Sequence, residues 1–162
     1  MKRYLLIAAA AAVLAVPDAF ADNGTPSASS LAAQSCKAQL QQLGAATFRA
    51  AHGGGANAYG KCVSLATRTA NGSLQNAAQQ CKTAQSDAAT FATTYGSKPN
   101  AYGKCVSAKA KAATQQQTAA VVSAAKQCKT AAADKPTFAA TYGTKPNAFG
   151  KCVSKLAGVK TS

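Results

Sequence analysis

The chain has few of the residue types that build catalytic sites and large apolar cores. It contains no tryptophan and no glutamate, one histidine and four aspartates in 162 residues. From residue 22 onward, leucine, isoleucine, valine and phenylalanine number only 16 of 141 residues. This share is well under the ~20% below which a strongly charged chain tends to stay disordered. Alanine buries little apolar area, so an interaction other than apolar burial must hold the fold.

The scarcity of ionisable groups also argues against catalysis. Three aspartates remain after residue 21, two of them at predicted helix starts, and no carboxylate pair for general acid–base chemistry is evident. His52 stands where the later repeat units have tyrosine, which indicates a structural variant. No GxSxG, HExxH or GxxxxGK[ST] pattern occurs. We therefore predict that the protein is not an enzyme.

The first 21 residues have the pattern of a secretory signal peptide. Lys2 and Arg3 precede an apolar run from Leu5 to Val16 and an Ala19-Phe20-Ala21 cleavage pattern. The run is shorter than the ~20 residues that span a bilayer. We expect cleavage, release as a secreted extracellular protein, and no transmembrane segment.

Beyond this segment the charge is almost entirely positive. Without Lys2, Arg3 and Asp18, the sequence keeps 16 basic residues and 3 aspartates, a net charge of +13. Such an excess favours attraction to polyanions such as acidic cell-wall polymers, anionic lipids and nucleic acids. The basic residues are spread along the chain, so the alternative is that they only serve solubility.

Six cysteines can form the disulfide bridges that stabilise a secreted chain with so small an apolar core. None stands in a CxxC or CxxCH pattern, which disfavours zinc and haem, and we predict no metal and no cofactor. A lysine adjoins each cysteine and would activate a free thiol, but three equivalent long-range pairs favour a structural role. Bridges closing loops of this length would contribute roughly 3–4 kcal/mol each, which is large beside the ~5–15 kcal/mol net stability of a typical domain.

The string NA(Y/F)GKCVS occurs three times and defines an internal repeat. Its copies span Asn57–Ser64, Asn100–Ser107 and Asn147–Ser154. A phenylalanine precedes the cysteine of each copy by 14 residues, and a Cys-Lys pair lies 10 or 12 residues before that phenylalanine. Because each unit contains the same two cysteines, the repeat predicts one bridge per unit. The predicted bridges are Cys36–Cys62, Cys81–Cys105 and Cys128–Cys152.

The segments around the cysteines have the composition of helices. Ser30 to Leu43 is rich in alanine, glutamine and leucine, and Gly44 can end that helix. Ala101 to Ala133 contains no proline and one glycine, which predicts a single helix about 50 Å long. Its two cysteines then lie roughly 35 Å apart along the axis, too far for a bond between them. Asn71-Gly72 predicts a break between units one and two.

A short helix is predicted at the corner of units two and three. Ser86 or Asp87 caps the first and Asp134 the second. Each places a phenylalanine and a tyrosine on one face and ends at a glycine; these residues are Phe91, Tyr95, Gly96, Phe138, Tyr142 and Gly143. We expect these aromatic pairs, and the other tyrosines and phenylalanines beyond residue 21, to form the small core of each unit.

An asparagine is predicted to cap the helix that follows each corner. A glycine one turn later leaves room for another backbone or the bridge to approach closely. These residues are Asn57 and Gly60 in unit one, Asn100 and Gly103 in unit two, and Asn147 and Gly150 in unit three.

Together these patterns predict an all-α protein of three tandem, disulfide-stapled helical hairpins joined by helices. The predicted divisions are the signal peptide 1–21, unit one 22–64, a helical connector 65–80, unit two 81–107, a second connector 108–127 and unit three 128–162. An extended rod and a bundle of packed hairpins are both compatible with the sequence, and the oligomeric state stays open.

The pattern C-K…F…YG…NAFGKCVS resembles a repeat of secreted, uncharacterised actinobacterial proteins. The resemblance covers all three units, roughly half of the chain. It implies a secreted repeat protein and transfers no activity, cofactor or catalytic residue. Unit one departs from the pattern, since His52 and the glycines 53–55 replace the Tyr-Gly and Lys-Pro of the other units.

We expect a secreted, basic, non-enzymatic protein that associates with anionic surfaces such as cell wall or acidic lipid by diffuse electrostatics. One alternative is an extracellular spacer without a specific ligand. The other is a non-specific nucleic-acid binder, which the sequence supports less because it shows no aromatic platforms for stacking bases.

Overall fold

The computed structural model describes residues 25–158, and six α-helices carry most of that range. They are α1 (Ala28–Ala51), α2 (Ala58–Ala84), α3 (Ala88–Tyr95), α4 (Ala101–Ala131), α5 (Lys135–Tyr142) and α6 (Ala148–Ala157). The predicted all-α class is confirmed, and α4 is the single long helix that the sequence predicts. The predicted signal peptide lies outside the described residues.

Three disulfides join successive long helices, and their pairing is the one that the repeat predicts: Cys36–Cys62, Cys81–Cys105 and Cys128–Cys152. The Cα atoms of each pair lie 6.0 Å apart, and every bonded cysteine is at most 1% exposed. Helix α2 carries one cysteine of unit one and one of unit two, and α4 one of unit two and one of unit three. Neighbouring units therefore share a helix.

The core consists of three clusters, and each is built around one bridge. Phe48 packs with the first bridge, Leu31 and Phe91 belong to the cluster of the second, and Val121 and Val153 to that of the third. Alanines and bonded cysteines make up 16 of the 23 buried hydrophobic residues of the described chain. Small side chains let the helices approach closely, while the bridges supply the cohesion that bulky side chains do not.

Helix α1 packs on α2 and also along α4, so the hairpins form one bundle and not an extended rod. Leu31, near the start of α1, shares a cluster with Val106 and Ala110 of α4. Ala51, at its end, shares another with Val121 and Ala124, further along α4. Helices α1 and α4 therefore run parallel, and α1 packs unit one against units two and three.

Glycines and aspartates end and begin several helices as predicted. Asp87 and Asp134 cap α3 and α5, accepting hydrogen bonds from the backbone N–H groups three residues on, at 3.1 and 3.3 Å. Gly44 interrupts α1 with φ 72°, so the part that carries Phe48 follows as a separate helical piece. Both kinds of residue act through local backbone geometry, which the sequence specifies directly.

The predicted break at Asn71-Gly72 is wrong, because α2 runs through both residues. Bridges fix this helix near both ends, at Cys62 and Cys81. Ala70 and Ala77 are buried between these bridges, with 1% and 2% of their surface exposed. The two bridges and the buried alanines stabilise the helix by more than the roughly 1 kcal/mol by which a glycine disfavours it.

The asparagines occupy the predicted positions at the starts of α2, α4 and α6, but their side chains make no capping hydrogen bond. At Asn57, Asn100 and Asn147, ψ is 20°, 1° and 2°, whereas capping asparagines usually have extended backbones. In each case a turn before the helix sets this conformation, and the backbone carbonyl of the asparagine accepts the first helical hydrogen bond. The prediction of side-chain capping is therefore wrong at all three sites.

Candidate functional site

A cleft of about 660 Å³ lies between the end of α1, the first half of α2, the middle of α4 and α6. Leu65 of α2, Val121 of α4 and Val153 of α6 contribute apolar surface. Several alanines add to this apolar surface, and polar and cationic side chains also line the cleft. Volumes of roughly 300–1,000 Å³ are typical of sites for small molecules, which makes this cleft the candidate binding site.

The cleft brings together two of the three copies of the repeat. The asparagine, glycine, lysine and serine of unit one line it with their counterparts of unit three: Asn57, Gly60, Lys61 and Ser64 with Asn147, Gly150, Lys151 and Ser154. The counterparts in unit two, Asn100, Gly103, Lys104 and Ser107, are not part of the lining. The same short sequence therefore has two different environments.

The charge of the lining is positive. Lys61, Arg68 and Lys151 all contribute to it. The ammonium of Lys61 lies beside the glycine corner of unit one, 3.2 Å from the position that a Cβ on Gly53 would take. Between residues 25 and 158 the only carboxylate side chains belong to the two helix-capping aspartates, and neither lines the cleft. The walls thus offer an anion the ammonium groups of Lys61 and Lys151, and no carboxylate of the described residues lies beside them.

A buried hydrogen-bond network lies against the cleft and connects α1 with α4. The Thr118 hydroxyl donates to the Thr114 carbonyl at 2.8 Å and accepts from Ser35, whose oxygen is 2.7 Å away. Gln39 Nε2 donates to Ser35 Oγ at 3.1 Å, and Gln39 Oε1 lies 3.0 Å from His52 Nε2. Because an amide oxygen only accepts, His52 carries a proton on Nε2.

Burial lowers the pKa of His52 from 6.5 to about 4. The imidazole is therefore neutral at physiological pH and adds no charge to the cleft. Its ring centroid lies 4.6 Å from that of Phe48, as Tyr95 and Tyr142 lie 5.1 and 4.9 Å from their phenylalanines. His52 thus occupies the aromatic position that the alignment indicates. His52 also lines the cleft, which its place in the alignment does not predict.

Gln117 of α4 presents an unpaired donor to the same region. Its Nε2 atom is buried and has no hydrogen-bond partner among the described residues, and Gln117 belongs to the lining. A buried donor without an acceptor costs about 1–3 kcal/mol. This side chain stands in the connector between units two and three, so the repeat could not single it out.

Of the three repeated glycines, only Gly150 meets a close backbone within the described chain. A Cβ there would lie 3.0 Å from the Ala51 carbonyl oxygen, because α6 docks on the end of α1. Nothing lies within 4 Å of a Cβ on Gly60, and at Gly103 the nearest atom is Thr25 Oγ1 at 3.7 Å, an ordinary contact distance. The prediction of close backbone approach is wrong for those two glycines.

The tyrosines of the repeated string are also not core residues, which corrects the prediction. Tyr59 and Tyr102 are 42% and 36% exposed, since each lies across the outside of a helix pair. Their hydroxyls donate to the Ala33 and Ala78 carbonyls, at 3.3 and 3.0 Å. Each acceptor stands three residues before the first cysteine of its unit. Phe149 occupies the same position in unit three and has no hydroxyl to donate.

The chain matches no protein family, no curated protein and no solved structure. Its resemblance to actinobacterial repeats stays a prediction. In the range 25–158, none of the helices combines the length and apolar character that crossing a bilayer requires. All six cysteines are bonded in pairs, which is consistent with an oxidising, extracellular compartment.

Proposed function

We propose that the protein is secreted, has no catalytic activity and associates with anionic surfaces, such as the cell envelope, by electrostatic attraction at many points. The exposure of its cations carries this proposal. Of the 15 lysines and arginines between residues 25 and 158, all except Lys109 are exposed. They lie on every helix except α3 and on the loops between helices, so no single face holds the charge.

The acidic residues do little to neutralise this surface. Asp87 and Asp134 are engaged at helix starts. Hydrogen bonds from the side chain and backbone of Thr90 hold the pKa of Asp87 below its usual value, so it stays ionised as a cap. An anionic polymer therefore meets a large excess of positive charge whichever side of the molecule it approaches.

Many weak contacts of this kind add up. A lysine near an anionic membrane contributes about 1 kcal/mol, and contacts on one rigid body act together with a high effective concentration. The three bridges fix the helices that carry the lysines relative to one another. Such attachment must weaken with salt, because exposed charges are screened beyond about 8 Å at physiological ionic strength.

Co-sedimentation tests this proposal. The oxidised protein, residues 22–162, is mixed with cell-wall sacculi, with phosphatidylglycerol vesicles and with duplex DNA, at low and at high salt. We expect retention on sacculi or vesicles at low salt and release at high salt. Retention that high salt does not reduce would contradict the proposal. Absence of retention on every partner would leave the spacer interpretation, and retention on DNA alone the nucleic-acid interpretation.

A charge-reduced variant provides the control. Lys104, Lys126 and Lys129 of α4 are exposed and lie outside the cleft, so their replacement by glutamine leaves fold and cleft intact. We expect this triple variant to be released at lower salt than the parent protein, since fewer ions are displaced on binding. An unchanged salt dependence would show that the exposed charge does not drive retention.

A further inference from the structure

We propose that the cleft between units one and three binds one small anionic amphiphile, a molecule in which a carboxylate or phosphate headgroup is joined to an apolar chain. The inference goes beyond the proposed function, which requires only the outer surface. It depends on three observations: the charge of the lining, an unpaired buried donor, and the apolar part of the wall.

The charge of the lining specifies the sign of the ligand. Lys61 and Lys151 come from equivalent positions of two repeat units and line the same cleft, with Arg68 as a third cation. A concave site with walls of low polarisability focuses the field of such charges and raises the local concentration of anions. Since no carboxylate of residues 25–158 lines the cleft, an anionic headgroup is the group that would pair with the two lysines.

The unpaired amide of Gln117 specifies a hydrogen-bond acceptor. Its buried Nε2 lacks a partner within residues 25–158, and an oxygen of a carboxylate or phosphate would accept from it. Hydrogen bonds to charged acceptors are stronger than those between neutral groups. The amide of Gln39 differs in this respect, because its nitrogen already donates to Ser35 and its oxygen is bonded to His52.

The remaining lining accounts for the apolar part of the ligand. Leu65, Ala66, Val121, Val153 and Ala157 all contribute to the cleft. A bare inorganic anion would leave this apolar surface exposed to water, whereas a hydrocarbon chain would cover it and bind more tightly with each buried methylene. The neutral ring of His52 also lines the cleft and is compatible with such a chain.

Unit two offers an internal control. Lys104 stands in the same NAYGKCVS string as Lys61 and is exposed, but it does not line the cleft. Replacing either lysine removes one charge next to a buried, bonded cysteine. A difference in ligand binding between the two variants therefore reports the cleft and not the overall charge.

Isothermal titration calorimetry on the oxidised protein tests the inference, with octyl phosphate and octanoate as probes below their micellar concentrations. Inorganic phosphate and octyltrimethylammonium serve as comparators. We expect both anionic amphiphiles to bind with a stoichiometry of one, inorganic phosphate to bind at least about tenfold more weakly, and the cationic amphiphile not to bind. The ratio of the two anionic affinities then distinguishes a phosphate from a carboxylate site.

Matched variants sharpen the test. Lys61→Gln and Lys151→Gln should each weaken octyl phosphate binding roughly tenfold, the loss of one charge-assisted contact. Gln117→Leu should weaken it several-fold, while Lys104→Gln should leave it within about twofold. Equal losses for Lys104→Gln and Lys61→Gln, equal binding of the cationic amphiphile, or no binding of either anion would overturn the inference.

One variant distinguishes failure of the surface-attachment proposal from failure of the cleft proposal. The double variant Lys61→Gln/Lys151→Gln and the exposed pair Lys104→Gln/Lys126→Gln outside the cleft each remove two of the 16 basic residues that follow residue 21. Both double variants should therefore be released at the same salt concentration, slightly below that of the parent protein. If sedimentation is lost together with amphiphile binding, the cleft is the surface anchor itself and the diffuse mechanism is wrong. If only amphiphile binding is lost, both proposals stand.

Discussion

Unit one and the two later units share a scaffold and differ where unit one meets the rest of the protein. All three have a bridge of nearly the same span and an aromatic pair at the corner. Three residues after its first cysteine, unit one has Gln39 where the others have Ala84 and Ala131, and it has His52 in place of the corner tyrosine. Gln39 and His52 are hydrogen-bonded to each other.

The difference shows how a repeat becomes a single bundle. The shared residues build each unit, whereas residues that only unit one has make contacts across units. Ser35 reaches Thr118 of α4, and a Cβ on Gly54 would lie 3.8 Å from the Pro146 carbonyl of unit three. Ser35, Gln39 and His52, all particular to unit one, also line the cleft. We infer that unit one is specialised for docking and for the site.

Removing one bridge at a time should have the largest effect, and it tests whether unit one depends on its bridge as much as unit three does. The paired substitutions Cys36→Ala/Cys62→Ala and Cys128→Ala/Cys152→Ala open loops of similar length. Each should lower the free energy of unfolding by about 3–4 kcal/mol, measured by urea titration and circular dichroism. A much smaller loss in unit one would mean that its contacts with α4, and not its bridge, hold it in place.

The pH dependence of stability should come largely from unit one. Burial holds the pKa of His52 near 4 in the folded protein, against 6.5 ordinarily. The unfolded chain therefore binds a proton between these values and the folded protein does not. We expect the free energy of unfolding to be highest above pH 6.5 and to fall by about 3 kcal/mol as the pH drops to 4.

Urea titrations at a series of pH values measure this effect. The control is Gln39→Ala/His52→Tyr, which gives unit one the residues of the other units and removes the titrating group. The loss of stability between pH 6.5 and 4 should largely disappear in this variant. An unchanged pH profile would show that another group is responsible.

The repeated glycines should respond in opposite directions. Gly150→Ala places a methyl group 3.0 Å from the Ala51 carbonyl oxygen, and overpacking of this kind costs typically about 1–3 kcal/mol. Gly60→Ala meets no neighbouring atom of residues 25–158 within 4 Å and should stabilise α2 by about 0.5–1 kcal/mol, as alanine does within helices. Melting temperatures of the two variants measure both effects. Equal shifts would contradict the docking of α6 on α1.

The smallest expected effect concerns the hydroxyl that unit three lacks. Phe149→Tyr should add a hydrogen bond to the Ala125 carbonyl, which stands where Ala33 and Ala78 accept in the other units. The gain should be about 0.5–1.5 kcal/mol. Tyr102→Phe is the reverse experiment and should lose a similar amount. Urea titration of the two variants decides whether the bond contributes equally in each unit.

The bridges, the long helix and the aspartate caps could be predicted because they are local or repeated. Three equivalent cysteine pairs narrow the possible pairings, and Asp87 acts within its own turn. Asn71-Gly72 was predicted wrongly, since the packing of α2 overrides a local breaking tendency. The asparagines stand at the predicted N-cap positions, but they make no side-chain capping bond because a preceding turn sets their backbone angles.

The cleft could not be predicted, because it depends on which units face each other. Lys61, Lys104 and Lys151 are equivalent in sequence, and only the packing of α1 and α6 separates the first and third from the second. Gln117 has no counterpart in the repeat that would mark it. The sequence did contain one signal, the joint departure of Gln39 and His52 from the residues of the later units.

The sharing of α2 and α4 between bridges has a consequence for proteolysis. Every corner between long helices lies inside one of the loops 36–62, 81–105 and 128–152, whereas the segments between loops are helical. Proteases cut exposed, irregular backbone most readily. A cut at a corner would therefore leave both fragments covalently joined, so the nicked protein would run as one species in electrophoresis until a reductant separated the pieces.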